Sequence, residues 1–447
     1  MFPLAAGVGA RLAARARGVT GMLAFTQVAR SAGGPMRVAL LLALGVGMAC
    51  FALLFSASLA QNGADRAAYA TGADVRITEA QALTGGDAAN ARAALLKLPG
   101  VTGITPIFRG AARGSSDINA PPAGLLAVDP ATWAGVAGVV SWRTDYAATS
   151  PGTLMAQLRA HQWPAPAAGA TPVALGDADH PIWALVSDSL AANLHLRVGQ
   201  RFTLRVANTN ADETTFVMGA LVHAFPTLYP GQVPGGFVVV ALDDAQGVRA
   251  SPMMSTNQWW VRTAGNLAFA AALARAAPNL SITQTLDRRQ IQAQIAASPL
   301  LAGMRGLLAV GVTLTVALAL LGSMMQAALS ARGRMVQFAV LRSLGMRGQQ
   351  LRRMLLGEQA VVYLFGLVAG TLFGVGMAFA TLPYLQFGDA VLDPTTIGVP
   401  PERLVVDPIT LIICYGALVL GFVFGLLVTA SAARRMGLGQ TLRLGED

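Results

Sequence analysis

Charge is scarce in this chain, and lysine is nearly missing. Only 12% of its 447 residues are charged, and Lys97 is the only lysine. A soluble globular domain is about 25% charged. With 54% of residues hydrophobic, a deficit of that size implies that part of the surface faces lipid. Cysteine is reduced to Cys50 and Cys414, each inside a long apolar run. There a thiol behaves as a small apolar side chain, and no disulfide is expected away from an oxidising aqueous loop. The four histidines, His161, His180, His195 and His223, are not at metal-ligand spacing. HExxH and G-x-S-x-G are both absent, so neither a zinc hydrolase nor a serine hydrolase is indicated. Also absent is the phosphate-cradling pattern G-x-x-x-x-G-K-S/T, and Lys97 ends a helix of ordinary composition. No enzyme activity, cofactor or metal is expected in this chain. If ATP drives its work, another subunit binds the ATP.

What the sequence has in abundance is long apolar runs. About 20 residues at 1.5 Å each cross a ~30 Å hydrocarbon layer. Four stretches qualify: residues 38–60, 306–331, 355–382 (broken only by Glu358 near its start) and 408–433. Only a helix satisfies its own backbone in lipid, so four transmembrane helices are expected. A signal peptide ending at Ser58-Leu59-Ala60 is disfavoured, because the first run is too long and starts too late.

Arginine sets the orientation. Arg11, Arg15, Arg17, Arg30 and Arg37 precede the first run, with no acid before Asp65. Arg332, Arg334, Arg342, Arg347, Arg352 and Arg353 stand between the second and third, and Arg434, Arg435 and Arg443 follow the fourth. The loop between the third and fourth runs carries Asp389, Asp393, Glu402 and Asp407 against Arg403. The positive-inside rule then puts both termini and the arginine-rich central connector in the cytoplasm. This predicts a bacterial inner-membrane protein with nine segments: a cytoplasmic amphipathic segment (1–37), a span (38–60), a large extracytoplasmic domain (61–303), a span (306–331), a cytoplasmic coupling loop (332–354), a span (355–382), a short outer loop (383–407), a span (408–433) and a cytoplasmic tail (434–447). Residues 12–30 mix Arg with Leu12, Met22, Leu23, Phe25 and Val28, the pattern of a helix lying on the inner leaflet. Each Arg cluster abuts an apolar run, so orientation and headgroup contact account for them without a nucleic-acid partner.

The domain outside alternates strand and helix signals. Short β-rich runs fall at 74–78, 202–206, 215–218, 237–240 and 259–261, and helical runs at 88–98, 189–196, 267–276 and 288–297. An α/β domain is expected. The Pro- and Gly-rich stretch at 114–181 suggests two lobes joined or decorated by it. All six tryptophans lie in this domain. Adjacent Trp259 and Trp260 must point to opposite faces of a strand, so at least one belongs to the core.

From Arg334 the connector and third run read RMVQFAVLRSLGMRGQQLRRMLLGEQAVVYLFGLVAGTLFG. This resembles the loop and helix of FtsX-like permeases, which include MacB-type transporters and lipoprotein-releasing permeases. Ala339, Leu341, Arg342, Leu344, Gly345 and Glu358 match the family pattern, while Gln337 stands where Glu is usual. The Gly72-Ala73-Asp74-Val75-Arg76 run, the stretch from Val186-Ser187-Asp188 to Gly199-Gln200, and the closing Thr441-Leu442-Arg443-Leu444-Gly445-Glu446 are also similar to the family. The arginine-rich start resembles the second half of a longer two-repeat permease.

The resemblance implies the permease subunit of an ABC transporter. It would pair with a separate ATP-binding subunit, and with a second copy or a second permease half. It would transmit motion to its outer domain for export or release of a substrate such as a lipoprotein, lipid or peptide. Gln337, Phe338, Val340, Leu341, Arg342, Leu344 and Gly345 would form the coupling helix, an apolar face rimmed by arginines that needs a partner. Glu358, with Arg352 or Arg353, forms an expected interface ion pair. Gly366, Gly370 and Gly374 fall four apart, as do Gly421 and Gly425; this spacing lets helices approach closely, within one chain or between subunits. The rival reading is a non-transport receptor or regulator acting on a cell-envelope partner.

Overall fold

The structure is a computed structural model. It describes residues 33–114, 121–165, 173–206, 213–229, 233–248, 254–264, 273, 281–333, 348–381 and 400–406, with further positions between 408 and 423. The labelled elements in chain order are helix α1 (Gly33–Thr71), strand β1 (Val75–Leu83), helix α2 (Gly85–Leu96), strands β2 (Val101–Gly114) and β3 (Ala123–Val128), helix α3 (Pro151–Ala160), strand β4 (Ile182–Ser187), helix α4 (Asp188–Asn193), strands β5 (Arg201–Val206), β6 (Thr214–Val222) and β7 (Phe237–Ala241), helix α5 (Leu242–Gln246), strands β8 (Thr256–Thr263) and β9 (Ile282–Asp287), and helices α6 (Arg288–Ala296), α7 (Pro299–Gly333) and α8 (Gly348–Thr381). The contacts separate two units, one made of Met1–Gln61, Pro299–Gln386 and Glu402–Asp447, the other of Asn62–Ser298 with Phe387–Pro401.

In the first unit, α1, α7 and α8 each hold a stretch long and apolar enough to cross a membrane. Val38, Ala39 and Leu42 of α1 are buried together with Ala319 of α7 and with Val362 and Tyr363 of α8. The outward side is apolar as well: Leu307, Leu314 and Leu318 of α7 and Leu364 and Leu372 of α8 are exposed. Of the fourth predicted span, every described position between 408 and 423 is helical, and the rest lies outside the described residues. So do the predicted helix at 12–30, the connector from 334 to 347, the outer loop from 382 to 399 and the tail.

The second unit is an α/β domain built on one nine-stranded sheet, in the order β3-β7-β4-β6-β5-β2-β8-β1-β9. An additional pairing of β3 with β2 closes the first six of these strands into a ring. The long β2 makes this possible. Its first half pairs with β8 through Ile107, and its second half pairs with β3 from Ile107 and with β5 from Ala112. Alternate residues of all six ring strands meet in one buried cluster, including Ala112, Leu125, Val186, Leu204, Phe216 and Val240. The opposite face of β3 and β7 (Leu126, Val239) is covered by Leu154 and Leu158 of α3 and by Trp133 and Val136. Those last two residues lie in a helical segment that runs from Pro130–Trp133 through a π-helical turn at Ala134–Gly138 into Val139–Ser141. On the three-strand extension, α2 packs Ala91 and Leu95 against Val75, Ile77 and Trp259.

The predicted β-rich runs are found, lengthened, as β1, β5, β6, β7 and β8. Both tryptophans of β8 are buried, Trp259 against α2 and Trp260 in the cluster on the other face. A division into two lobes is not seen. One sheet runs through the unit, and the Pro- and Gly-rich stretch contributes β3, α3 and the Pro130–Ser141 segment to it. The predicted helix at 267–276 lies outside the described residues except for Leu273, which is helical.

Candidate functional site

Gln337, Phe338, Val340, Leu341, Arg342, Leu344 and Gly345 lie outside the described residues. Arg352, Arg353 and Glu358 are on the first turns of α8, and their side chains are likewise outside the description.

The α8 glycines can be located. A Cβ added to Gly366 would come within 2.8 Å of Leu42 Cβ, and one on Gly370 within 2.6 Å of the Ala43 carbonyl oxygen. On Gly374 it would stand 2.5 Å from the Gly47 carbonyl oxygen. These are backbone-to-backbone approaches, with no room for a side chain, and they place α8 against α1 along one stripe. Small residues are how helices associate when the surroundings are as apolar as leucine and burial gains little. Two hydroxyl bonds add to this packing. Thr371 Oγ1 lies 2.6 Å from Tyr415 Oη, and the Val405 amide donates to Ser58 Oγ at 2.9 Å. Gly421 has no described neighbour within contact of such a Cβ, and Gly425 lies outside the described residues.

In the second unit, the Gly72–Arg76 run is a turn from α1 into β1. Gly72 adopts φ +76°, and a Cβ there would overlap the Trp260 ring at 2.6 Å, so only glycine fits. Thr71 Oγ1 donates to the Ala67 carbonyl at 2.9 Å and lies 2.6 Å from that of Ala73. Asp74 accepts from the Thr263 amide and from the Arg288 guanidinium, both at 3.0 Å, which ties the turn to β8 and to α6. The 186–200 segment also proves to be a joint. Ser187 Oγ accepts from the Leu190 amide at 3.2 Å, capping α4, and from the Phe237 amide at 2.8 Å, holding β7.

Sequence reading missed Arg143, a buried cation with several partners. It is 5% exposed and forks onto Asp145 at 2.9 and 2.8 Å. It also donates to the Pro401 carbonyl at 3.2 Å and stands 3.6 Å from Asp65 of α1. One guanidinium thus links the end of α1, the loop after the Pro130–Ser141 segment and the strand of chain before the fourth run. Its neighbours are separated by up to 336 positions in sequence (Asp65 to Pro401). No local pattern announces such a junction.

Among the described residues no group of three or more His, Cys, Asp or Glu is placed to hold a metal ion. With the geometry in hand, the chain can be set beside known proteins. Residues 307–438 match the family model for the FtsX-like permease C-terminal region. The match covers under a third of the chain, and α1, α7 and α8 are each long and apolar enough to cross a bilayer. A comparison with curated proteins gives no match. Among solved structures, the chain is similar to a domain of a protein described as a permease from Porphyromonas gingivalis. The identity is 14%, the match covers 47% of this chain and 84% of that one, and the TM-score is 0.23. At that score the likeness carries no argument.

Proposed function

We propose that the chain is the permease subunit of an ABC transporter in a bacterial inner membrane, with both termini in the cytoplasm. A separate ATP-binding subunit docks on the connector at 332–354, and its cycle drives movements of the outer domain. The cargo would be a substrate handled outside the membrane, such as a lipoprotein, lipid or peptide. The observation that carries this reading is the family match over 307–438, which spans the whole connector.

Two features support mechanical transmission over passage of a solute. Residues 38–60 hold no ionisable side chain other than Cys50, so no polar path is visible along the first span. Helix α1 is a single element of 39 residues, about 58 Å at 1.5 Å per residue, well beyond the ~30 Å hydrocarbon layer. Its last ten residues belong to the outer unit, so a displacement of the helix is a displacement of that unit's edge. The pairing would be with a second copy or with a second permease half.

The test is co-purification with a candidate ATP-binding partner from the same cell. Leu341→Asp puts a charge on the apolar face of the connector and is expected to abolish association while leaving expression and membrane insertion unchanged. Undiminished association would remove the coupling assignment.

A further inference from the structure

Strands β1 and β2 flank β8. Arg76 pairs with Trp260 on one side, and Trp260 pairs with Thr105 on the other. Arg109 lies four residues beyond Thr105 on β2, an even step, so strand alternation puts both guanidiniums on the Trp260 face. Tyr69, on the last turns of α1, is buried over that face in a cluster with Tyr146, Trp142 and Tyr229. The two arginines are close enough for the Arg109 charge to act on Arg76, and Tyr69 acts on both.

Among the described residues no acid pairs with them: the Arg76 side chain makes no hydrogen bond or ion pair, and the Arg109 guanidinium donates only to Thr227, at its hydroxyl and its carbonyl oxygen. The Nε atoms of both arginines are sealed from solvent without a partner, and so is Tyr146 Oη. Elsewhere in the same unit buried and half-buried arginines are matched: Arg143 has Asp145, and Arg288 has Asp74. Burial and the Arg109 charge hold Arg76 down at about 9, and burial holds Arg109 at about 10. Two half-buried like charges with no described counter-ion oppose folding unless something completes them.

We propose that Arg76 and Arg109, with the hydroxyls of Tyr69 and Thr227 beside them, form a binding site for an oxyanion of the phosphate class. A guanidinium presents a planar fork of donors that fits phosphate or carboxylate oxygens. Two forks and two hydroxyl donors outnumber the acceptors of one carboxylate and suit the three terminal oxygens of a phosphomonoester. The phosphate comes either free in solution or on a lipid headgroup. The site stands independently of any ATPase docking at the connector, and its test involves no ATPase.

The experiment uses the full chain. Thermal unfolding is followed in detergent against inorganic phosphate at constant ionic strength. It is then followed in nanodiscs of phosphatidylcholine with and without phosphatidic acid. The expected result is a saturable rise in Tm for the wild type, with Arg76→Gln and Arg109→Gln each needing at least ten times more ligand for the same rise. A response to inorganic phosphate assigns a free ligand; a response to phosphatidic acid alone assigns a headgroup. Without ligand, Arg76→Gln is expected to be at least as stable as the wild type, since it removes an uncompensated charge. Absence of any rise, a rise that both variants retain in full, or a marked loss of stability in unliganded Arg76→Gln would each overturn the proposal.

Discussion

The sheet unit buries most of its aromatic side chains, and the helical unit leaves many of its leucines exposed. Trp133, Trp259, Trp260, Phe216, Phe225 and Phe237 of the sheet unit are all under 2% exposed. In the helical unit Leu307 is 76% exposed, Leu372 70% and Leu364 63%. Leu42 and Phe55 are buried there too, but where α8 comes nearest to α1 the residues are small: Gly47, Gly370 and Gly374. In water a buried aromatic is stabilising roughly in proportion to its area. In lipid a leucine gains nothing by turning inward, so helices associate where missing side chains let backbones touch. One chain thus follows one rule in two solvents, and the identity of the buried residues reports the solvent.

That contrast can be attacked by mutation of the full chain, with thermal or denaturant unfolding as the measure. The largest effect is expected from Trp260→Ala. This removes the ring that packs on Gly72 and opens a cavity, and it should cost the sheet unit about 3–5 kcal/mol. Next, Gly370→Leu drives a side chain into the Ala43 carbonyl and should cost the helical unit about 1–3 kcal/mol or more, with the sheet unit's transition unmoved.

A third change sharpens the claim that the sheet unit has a dry interior. Burial raises the Asp244 carboxyl to about 6, only partly offset by the bond from the Trp163 amide at 3.1 Å, with Asp243 adding to the rise. A folded-state value above the unfolded one means stability is greatest below pH 4 and is lost as pH rises through 6. Asp244→Asn keeps the acceptor for Trp163 and should therefore be more stable than the wild type at pH 8. The gain should be about 2 kcal/mol, the scale of a shift of that size reduced for partial screening, and it should vanish as pH falls from 6 to 4. The smallest effect is expected at the lipid face, where Leu372→Met should change stability by less than about 0.5 kcal/mol. A large loss there would mean that this face packs against protein.

Legibility followed the same divide. Strand β5 reads directly from its pattern, because Phe202, Leu204 and Val206 alternate inward with exposed Arg201 and Arg205. Strands β3 and β4 are buried on both faces, so AGLLAV and IWALVS show no alternation, and short apolar runs cannot be told from helix by period alone. Strand β2 was hidden for another reason: Gly103, Pro106 and Gly110 read as punctuation, yet pairing with β8 at the first two and with β3 at the third overrides them. Hydropathy placed the end of the first apolar run at residue 60. The helix continues to Thr71 because polar residues can stay helical once they leave lipid, and hydropathy marks the lipid boundary, not the helix end.

The joints at Gly72–Arg76 and 186–200 were visible as resemblance, and only the structure gives their cause in Trp260, Asp74 and Ser187. The arginine pair and the Arg143 junction were not legible at all. Strand pairing with β8 brings Arg76 and Arg109 together, and Asp65 and Pro401 reach Arg143 from distant parts of the chain.

The account depends most on where the connector lies. In a variant with Cys50 and Cys414 replaced by Ala, single cysteines are introduced by Ser343→Cys in the connector and by Ala89→Cys on the exposed face of α2. Both are treated with a membrane-impermeant maleimide in intact spheroplasts. The prediction is that Ala89→Cys labels at once and that Ser343→Cys labels only after permeabilisation. Labelling of Ser343→Cys in sealed spheroplasts would put the connector outside and contradict the proposal that it meets an ATPase.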